Sequence, residues 1–333
     1  MDTFELIARL TSAHGSSGRE QPVAQIIAEL AKPYADDIVT DTLGNLIVHK
    51  RGEGVKLMFA AHMDSVGLVA TYVEENGAVR FGKLGGLRPE QLLNSLVRFE
   101  NGVIGTVKSC GADKDKLTVD DLYLDIGAQN REEACSLVRL GDTAVYAASA
   151  AKAGSRMLSP CLDNRVSCAV LLQVLERLQK SENDLYFVFT VQEELGLRGA
   201  KTAAYGVDPD YAVAVDVTGA YDYLGAPKKG STALGGGAAV KVMDASVICH
   251  PAMVELLTTL AREHGIKTQL DVLTGGSSDA GAIHQSRLGV ITGGVSVPCR
   301  YIHAPTEMID LADVEACTEL ILHLAQSTLE KRM

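Results

Sequence analysis

Apolar positions repeat at two different spacings along the chain, and the changes of spacing divide it into three stretches. In the first stretch, helical spacing predicts helices at 3–13 and after Ser17, where the pattern Ser17-x-x-Glu20 is typical of a capping box. Short apolar runs then predict strands at 38–41, 45–49 and 56–61. From about residue 69 to 150, short alternating strands separated by Gly and Asn dominate, and the best helix candidate is 131–137.

Helix and strand patterns alternate again in the third stretch. Helices are predicted from about 163, at 199–205, at 251–263 and at 310–329, and strands at 184–191, 211–218, 268–272, 290–292 and 295–297. Such alternation is typical of an α/β fold, whereas the short alternating strands of the middle stretch are typical of a separate β module. We therefore expect a mixed-sheet α/β/α domain formed by 1–68 and 156–333, interrupted by an inserted small, barrel-like β-rich domain at 69–155.

Two of the predicted strands lead directly into polar residues. The strand at 56–61 is followed by His62 and Asp64, whose side chains share one face of an extended segment, so Asp64 can orient the His62 imidazole beside a metal. A later buried strand is followed by Glu193 and Glu194, whose adjacent side chains point in opposite directions. These two glutamates can therefore serve different functions, such as metal ligand and general base. Either motif alone is also compatible with a solvated turn.

Three further metal-capable side chains occupy similar positions. Asp163 lies at or just before the start of a long helix, where a simple N-cap is the alternative interpretation. Asp216 follows an apolar strand, and a buried carboxylate without a partner is unfavourable. His303 lies in a Pro-bounded loop directly after apolar sequence. Because α/β proteins place their chemistry at the carboxyl ends of parallel strands, these residues are candidates for one common site.

The candidate ligands are two histidines and three carboxylates: His62, Asp163, Glu194, Asp216 and His303. This set has one carboxylate more than a single catalytic zinc typically takes, and it suits two divalent ions about 3.5–4 Å apart. The three carboxylates and a bridging hydroxide would balance the charge of two such ions. Glu193 then remains free to take a proton from the bridging water and to pass it to a leaving amine. His and carboxylate ligands suit zinc, cobalt or manganese, and we expect zinc.

Composition narrows the class of protein. The 333 residues carry a formal net charge of −11, which argues against a nucleic-acid partner. No apolar run approaches the roughly 18 residues that a membrane span needs, and the N-terminal segment lacks the features of a signal peptide. The seven cysteines are scattered without a C-x-x-C motif, which favours reduced thiols in a cytoplasmic protein.

The candidate residues lie in an ordered series of motifs: Ala-His62-Met-Asp64, Leu-Asp163-Asn-Arg165, Gln-Glu193-Glu194-Leu-Gly-Leu-Arg-Gly, Val-Asp216-Val-Thr and Arg-Tyr-Ile-His303-Ala-Pro-Thr-Glu307. The series resembles the co-catalytic dimetal exopeptidases. Within them it is most similar to the tetrahedral aminopeptidase family, which includes glutamyl and deblocking aminopeptidases and members once labelled cellulase M. The β-rich insert between the His-x-Asp motif and the Asp163 motif also resembles this family, because related carboxypeptidase-like amidohydrolases carry their extra domain later in the chain.

The resemblance implies a dimetal exopeptidase domain and a role for each ligand. His62 and Asp216 would hold one divalent ion, Glu194 and His303 would hold a second, and Asp163 would bridge the two. It further implies a strained peptide after the bridging residue, in cis geometry.

The implied activity is that of a metalloaminopeptidase that releases N-terminal residues from peptides. Glu193 would be the general base, and Asp64 would orient His62. The resemblance also implies a homododecamer in the form of a tetrahedral shell, in which residues 69–155 make the dimer contacts. Two alternatives stay open: a dimetal carboxypeptidase or deacylase on the same ligand set, and a non-catalytic, metal-stabilised assembly protein.

The preferred N-terminal residue is not readable from the sequence. A preference for acidic residues would require a Lys or Arg in the pocket, for which the loop candidates are Lys228, Lys229, Arg287 and Arg300.

Overall fold

The computed structural model describes residues 1–111, 117–226 and 229–330. The helices of this part of the chain are Thr3–Ser12 (α1), Gln21–Ala31 (α2), Pro89–Leu92 (α3), Arg131–Leu137 (α4), Leu162–Arg177 (α5), Arg198–Val207 (α6), Pro251–Glu263 (α7), Ala280–Ile283 (α8) and Leu311–Gln326 (α9). None of these described helices is long and apolar enough to cross a membrane.

The strands fall into two sheets. The central sheet contains Asp37–Thr40 (β1), Leu46–Lys50 (β2), Lys56–His62 (β3), Ala151–Ala153 (β10), Arg156–Ser159 (β11), Asp184–Thr190 (β12), Tyr211–Gly219 (β13), Ala238–Met243 (β14), Thr268–Val272 (β15), Ile291–Arg300 (β16) and Glu307–Asp310 (β17). The second sheet contains Gly67–Val73 (β4), Val79–Leu84 (β5), Leu96–Phe99 (β6), Ile104–Ser109 (β7), Leu122–Asp125 (β8) and Thr143–Tyr146 (β9).

The central sheet is mixed, as the sequence predicts. Its order is β1-β2-β12-β3-β13-β16-β17-β11-β10, with β14 and β15 attached beside β16. The four strands β12, β3, β13 and β16 lie next to one another and run parallel, so their carboxyl ends meet at one edge. All nine residues of β13 are buried, which places this strand at the centre of the domain.

Helices cover both faces of the central sheet. Alternate residues of β3 point to opposite sides, because side chains alternate along a strand. Leu57 and Phe59 pack into the large core that contains α1, α2, α5, α7 and α9. Met58 and Ala60 pack into a smaller core with α6 and Ile283 of α8. This arrangement confirms the predicted α/β/α architecture.

The second sheet closes into a barrel in the order β4-β5-β8-β7-β6-β9, which confirms the predicted barrel-like insert. The barrel has its own apolar core, which includes Val97, Phe99, Val107 and Leu124. Its strands lie between Gly67 and Tyr146, and β10 already belongs to the central sheet. The assignment of 69–155 as a dimerisation domain stays a prediction.

One local prediction fails because two glycines serve packing rather than a turn. The sequence predicts separate strands at 290–292 and 295–297, whereas the structure has the single strand β16. A Cβ at Gly293 would overlap the side chain of Met253 in α7, and a Cβ at Gly294 would lie against Lys241 of β14. The glycines therefore let a helix and a neighbouring strand approach the backbone of β16.

The predicted capping box is also wrong. Helix α2 begins at Gln21, and the residue before it makes no side-chain capping bond. Instead, the Ser17 hydroxyl donates to Asp64 Oδ2 at 2.6 Å, and Glu20 Oε1 accepts the backbone N–H groups of Gly18 and Gln192. The side chains of Ser17 and Glu20 thus form hydrogen bonds with loop segments at the edge of the central sheet, where the candidate site lies.

Candidate metal centre

Parallel strands bring four candidate residues to one edge of the central sheet. His62 is the last residue of β3 and is paired in register with Thr190, the last residue of β12. Glu193 and Glu194 follow within four residues of that strand end. Asp216 lies in β13, on the other side of β3. The close approach of these side chains is therefore a consequence of strand order.

Asp163 reaches the same edge from the first turn of α5. Its backbone and that of Asn164 are not helical, and the peptide bond between them is cis. The Asn164 side-chain N–H donates to the carbonyl of Val215, which fastens this turn beside Asp216. The helix begins after Cys161 with no side-chain capping bond, so the N-cap interpretation of Asp163 is not supported.

His303 lies on the turn between β16 and β17 and has a positive φ of 65°. Its Nδ1 is 3.2 Å from the carbonyl oxygen of Gly86, in the inserted module. Its backbone carbonyl accepts the hydroxyl of Tyr146, the last residue of β9, at 3.3 Å. The barrel module therefore contacts this turn from outside the central sheet.

The five candidate ligands form two groups that share one residue. His62, Asp163 and Asp216 form one group (the His62 group), and Asp163, Glu194 and His303 form the other (the His303 group). Within each group the potential ligand atoms all lie within 4.8 Å of one another. The structure thus brings all five predicted residues together, and their role as ligands stays a prediction.

Asp163 directs one oxygen to each group. Its Oδ1 is 3.1 Å from His62 Nε2, and its Oδ2 is 3.3 Å from His303 Nε2. On the outer sides, His62 Nε2 lies 3.6 Å from Asp216 Oδ1, and His303 Nε2 lies 3.1 Å from Glu194 Oε1. A carboxylate that faces two His-carboxylate pairs has the geometry expected of a bridging ligand.

The donor atoms of both groups fit divalent cations. Asp163 Oδ1 and Glu194 Oε1 are buried and accept no hydrogen bond from the part of the chain that the structure describes. A buried acceptor without a partner is destabilising by about 1–3 kcal/mol, and more when it is charged. A bound cation would satisfy both oxygens, and a set of imidazole nitrogens and carboxylate oxygens is typical of zinc and related ions.

The charge around the two groups is strongly negative. Burial raises the pKa of Glu193 well above its ordinary value, and the neighbouring Asp216 carboxylate raises it further, although His62 opposes both effects. Burial lowers the pKa of His303, but the carboxylates of Asp163 and Glu194 outweigh it and raise that pKa to about 12. Both shifts indicate a poorly hydrated pocket that favours positive charge.

Glu193 is buried beside the ligands without belonging to either group. Its Oε2 is 3.9 Å from His62 Nε2. The backbone N–H groups of Glu193 and Glu194 donate to Asp64 Oδ1 and Oδ2, at 2.9 Å and 3.2 Å. His62 Nδ1 is 3.0 Å from the backbone carbonyl of Asp64 and 3.5 Å from its carboxylate. Asp64 therefore positions the two glutamates as well as contacting His62.

Two further carboxylates, which the sequence pattern does not assign to the site, support it. Glu307, at the start of β17, accepts the backbone N–H groups of both His303 and Asp163. Asp279 accepts the hydroxyl of Thr190, at the end of β12, at 2.5 Å. In the sequence, Glu307 could have been recognised as an acidic residue that lies four positions after His303 and begins a buried strand.

A cavity of about 530 Å³ opens over the two ligand groups. Beyond the ligands, its wall includes Val217, Tyr221, Leu273 and Ile302. Among the described residues that line it there is no Lys or Arg.

The loop cations considered for an acidic pocket are mostly engaged elsewhere. Arg300 forms an ion pair with Asp222, and Arg287 donates to the carbonyl of Tyr205. Lys229 is not among the residues that line the cavity, and Lys228 lies outside the described residues.

Comparison with known proteins gives consistent matches over nearly the whole chain. The sequence profile described as M42 glutamyl aminopeptidase matches residues 44–320. A putative aminopeptidase of Acetivibrio thermocellus is 42% identical over 96% of this chain and 98% of its own length. The lysyl aminopeptidase of Pyrococcus furiosus is 32% identical, with 96% of each chain covered.

Solved structures match equally well. An aminopeptidase from the archaeon Desulfurococcus kamchatkensis has a TM-score of 0.93 and 39% identity, and the match covers 97% of this chain and 94% of that one. The TET1 peptidase of Pyrococcus horikoshii, which can assemble into a tetrahedron or a large octahedral shell, has a TM-score of 0.88 and 32% identity. That match covers 97% of this chain and 99% of the other.

Proposed function

The chain belongs to the M42 glutamyl aminopeptidase family, and we propose that it is a two-metal aminopeptidase that releases the N-terminal residue of peptides. The observation that carries this proposal is the shared carboxylate of Asp163, which faces the His62 group and the His303 group at once. In this proposal, the His62 group and the His303 group each hold one divalent ion, and Asp163 bridges them.

Bound at these groups, two divalent ions would polarise the scissile carbonyl and lower the pKa of a water molecule. The remaining steps belong to the chain itself. Glu193 accepts the proton of the attacking water and returns it to the departing amine, as a general base and then a general acid. Asp64 holds the Glu193 backbone in place, so the carboxylate is positioned without rearrangement. Burial of Glu193 keeps bulk water away from this proton transfer.

The dimensions and wall of the cavity support short peptide ends as substrates. Its volume of about 530 Å³ lies within the range of small-molecule sites and is too small for a folded protein. Val217, Tyr221, Leu273 and Ile302 offer apolar contacts to a substrate side chain. Arg300 is paired with Asp222, and no described Lys or Arg lines the cavity to bind an acidic residue. Apolar N-terminal residues are therefore expected to be better substrates than acidic ones.

We further propose that twelve copies form a tetrahedral shell in which residues 69–155 make the dimer contacts. The assembly of the TET1 peptidase of Pyrococcus horikoshii supports a shell of this kind. The outer face of the barrel supports the dimer contact, since Leu96 and Ile104 are 54% and 48% exposed there. Seven unpaired cysteines are consistent with a reducing, cytoplasmic location.

Blocked peptides test the direction of cleavage. Peptides with a free N-terminus and an amidated C-terminus should be cleaved with added Zn²⁺, Co²⁺ or Mn²⁺, because only the free amino end is required. N-acetylated versions of the same peptides should resist cleavage. Release of the C-terminal residue from acetylated peptides that carry a free C-terminal carboxylate would instead identify a carboxypeptidase, and release of the acetyl group would identify a deacylase. The same assay with each of the three metals at equal occupancy tests the expected preference for zinc, which predicts the highest activity with Zn²⁺.

A further inference from the structure

One buried carboxylate links the backbones of two candidate ligands that are far apart in the sequence. Glu307 Oε1 accepts the N–H of His303 at 2.7 Å, and Glu307 Oε2 accepts the N–H of Asp163 at 3.0 Å. Asp163 and Glu307 are separated by 144 residues. The side chain of Glu307 is 1% exposed, so neither bond is exchanged with bulk water. Each oxygen of this carboxylate is thus committed to one backbone that carries a ligand.

The position of Glu307 is itself fixed by the sheet. Glu307 is the first residue of β17 and is paired with Ser159, the last residue of β11. The chain that leaves β11 reaches Asp163 within four residues, and the turn that enters β17 contains His303. Asp163 and His303 therefore both lie near the ends of the paired strands β11 and β17, and the Glu307 carboxylate lies between these two residues.

The two ligand groups depend on Glu307 to different extents. In the His62 group, His62 and Asp216 are residues of β3 and β13, whose geometry is set by backbone pairing. In the His303 group, His303 lies on a turn and has a positive φ, a conformation that non-glycine residues rarely adopt. An additional restraint is therefore needed to hold His303 toward Asp163 and Glu194.

We propose that Glu307 is a positioning residue that assembles the His303 group by holding the backbones of Asp163 and His303 at a fixed separation. The inference rests on the proposed two-metal function and adds a residue that touches neither the ions nor the substrate. Its loss should weaken the ion of the His303 group selectively. Supporting residues of this kind typically change metal affinity by about 10- to 100-fold.

The decisive variant is Glu307→Gln, which preserves size but leaves a single acceptor oxygen. The amide nitrogen would face one of the two backbone N–H groups, so one bond is replaced by a contact between two donors. Asp313→Asn is the matched control. Asp313 is also 1% exposed, and its two oxygens accept the N–H groups of Gly235 and Gly237, outside both ligand groups. The two variants make the same chemical change at two comparable carboxylates.

Metal content is the primary measurement, made on the full chain after dialysis against a low concentration of free Co²⁺. The wild-type protein and Asp313→Asn should each retain two ions per subunit, whereas Glu307→Gln should retain about one. The visible absorption of bound Co²⁺ should lose the contribution of one site only. A Co²⁺ titration of Glu307→Gln should then restore turnover with an unchanged kcat and a midpoint about 10- to 100-fold higher.

Retention of two tightly bound ions by Glu307→Gln would overturn the proposal, as would an equal loss of metal in Asp313→Asn. If Glu307→Gln does not fold, Glu307→Asp repeats the comparison, because it keeps both oxygens on an arm too short to reach both N–H groups. Failure of the proposed function would be visible in the wild-type protein itself, as fewer than two ions per subunit or as no cleavage of free N-termini.

Discussion

The carboxylate of Asp64 accepts the backbone N–H of Glu193 at 2.9 Å. Its second oxygen accepts the N–H of Glu194 at 3.2 Å and the hydroxyl of Ser17 at 2.6 Å. A single carboxylate thus fixes the backbone of both glutamates. The Glu194 side chain then reaches His303, while the Glu193 side chain stays beside His62. Asp64 accordingly acts on the candidate base as well as on the His62 imidazole.

Asp64→Asn should lower kcat by about 10- to 100-fold, because the amide can accept only one of the two glutamate N–H groups. Steady-state kinetics together with metal analysis measure this effect. Ser17→Ala is the milder control, since it removes a single hydroxyl donor from Asp64 and leaves both backbone bonds intact. An Asp64→Asn enzyme with wild-type kcat would show that the Glu193 position does not depend on this carboxylate.

Removal of metal should abolish turnover and lower the melting temperature. Without cations, the buried oxygens Asp163 Oδ1 and Glu194 Oε1 accept no hydrogen bond from the described residues and keep only their contacts with His62 and His303, while the neighbouring carboxylates repel one another. Dialysis against a chelator followed by calorimetry measures the change. A site filled at 100 times its dissociation constant contributes about 2.7 kcal/mol, so the shift should be readily visible. Activity should return after two equivalents of metal per subunit, and return after one equivalent would argue for a single-ion enzyme.

Arg165→Met should destabilise the fold by about 3 kcal/mol or more. The Arg165 guanidinium is fully buried and donates to the carbonyls of Leu10, Gly15 and Met63, each of which would lose a charged donor. Urea denaturation gives the change in free energy of unfolding. Arg177→Met is the control, because Arg177 forms partly exposed ion pairs and its loss should cost less than about 1 kcal/mol. Equal effects of the two substitutions would contradict this account of Arg165.

Ile104→Glu should reduce the mass of the assembly in solution. Ile104 is exposed on the outer face of the barrel, and a charge there would be desolvated in a dimer contact. Light scattering should find the wild-type protein near twelve times the 35.3 kDa mass of one chain, and the variant at a smaller multiple. Ile104→Leu keeps an apolar side chain and should retain the wild-type mass. An unchanged mass for Ile104→Glu would place the dimer contact elsewhere.

The candidate site was predictable because its residues follow strands whose neighbours could be anticipated. His62 directly follows the apolar run of β3, and Glu193 and Glu194 follow that of β12, and parallel strands of one sheet bring such positions to a common edge. Asp216 belongs to β13, the other neighbour of β3. Local sequence patterns were sufficient to predict this part of the candidate site, because each of these strands contains or precedes its own candidate residue.

Contacts between distant segments were not predictable in the same way. The bond between Glu307 and Asp163 depends on the pairing of β11 with β17, which no local pattern specifies. Ser17 and Glu20 have the spacing of a capping box, but tertiary contacts with Asp64 and Gln192 take precedence over local capping. The same holds for the glycines of β16, because the side chains that pack against them come from elsewhere in the chain.

The central claim is that adjacent glutamates divide the chemistry, with Glu193 moving the proton and Glu194 binding an ion. The direct measurement is kcat together with metal content for Glu193→Gln, with Glu194→Gln as the matched neighbour. Glu193→Gln should retain two ions per subunit and lose at least about 10²-fold in kcat, because a positioned general base contributes an effect of that size. Glu194→Gln should lose an ion as well as activity. Wild-type turnover by Glu193→Gln, with both ions in place, would contradict the assignment.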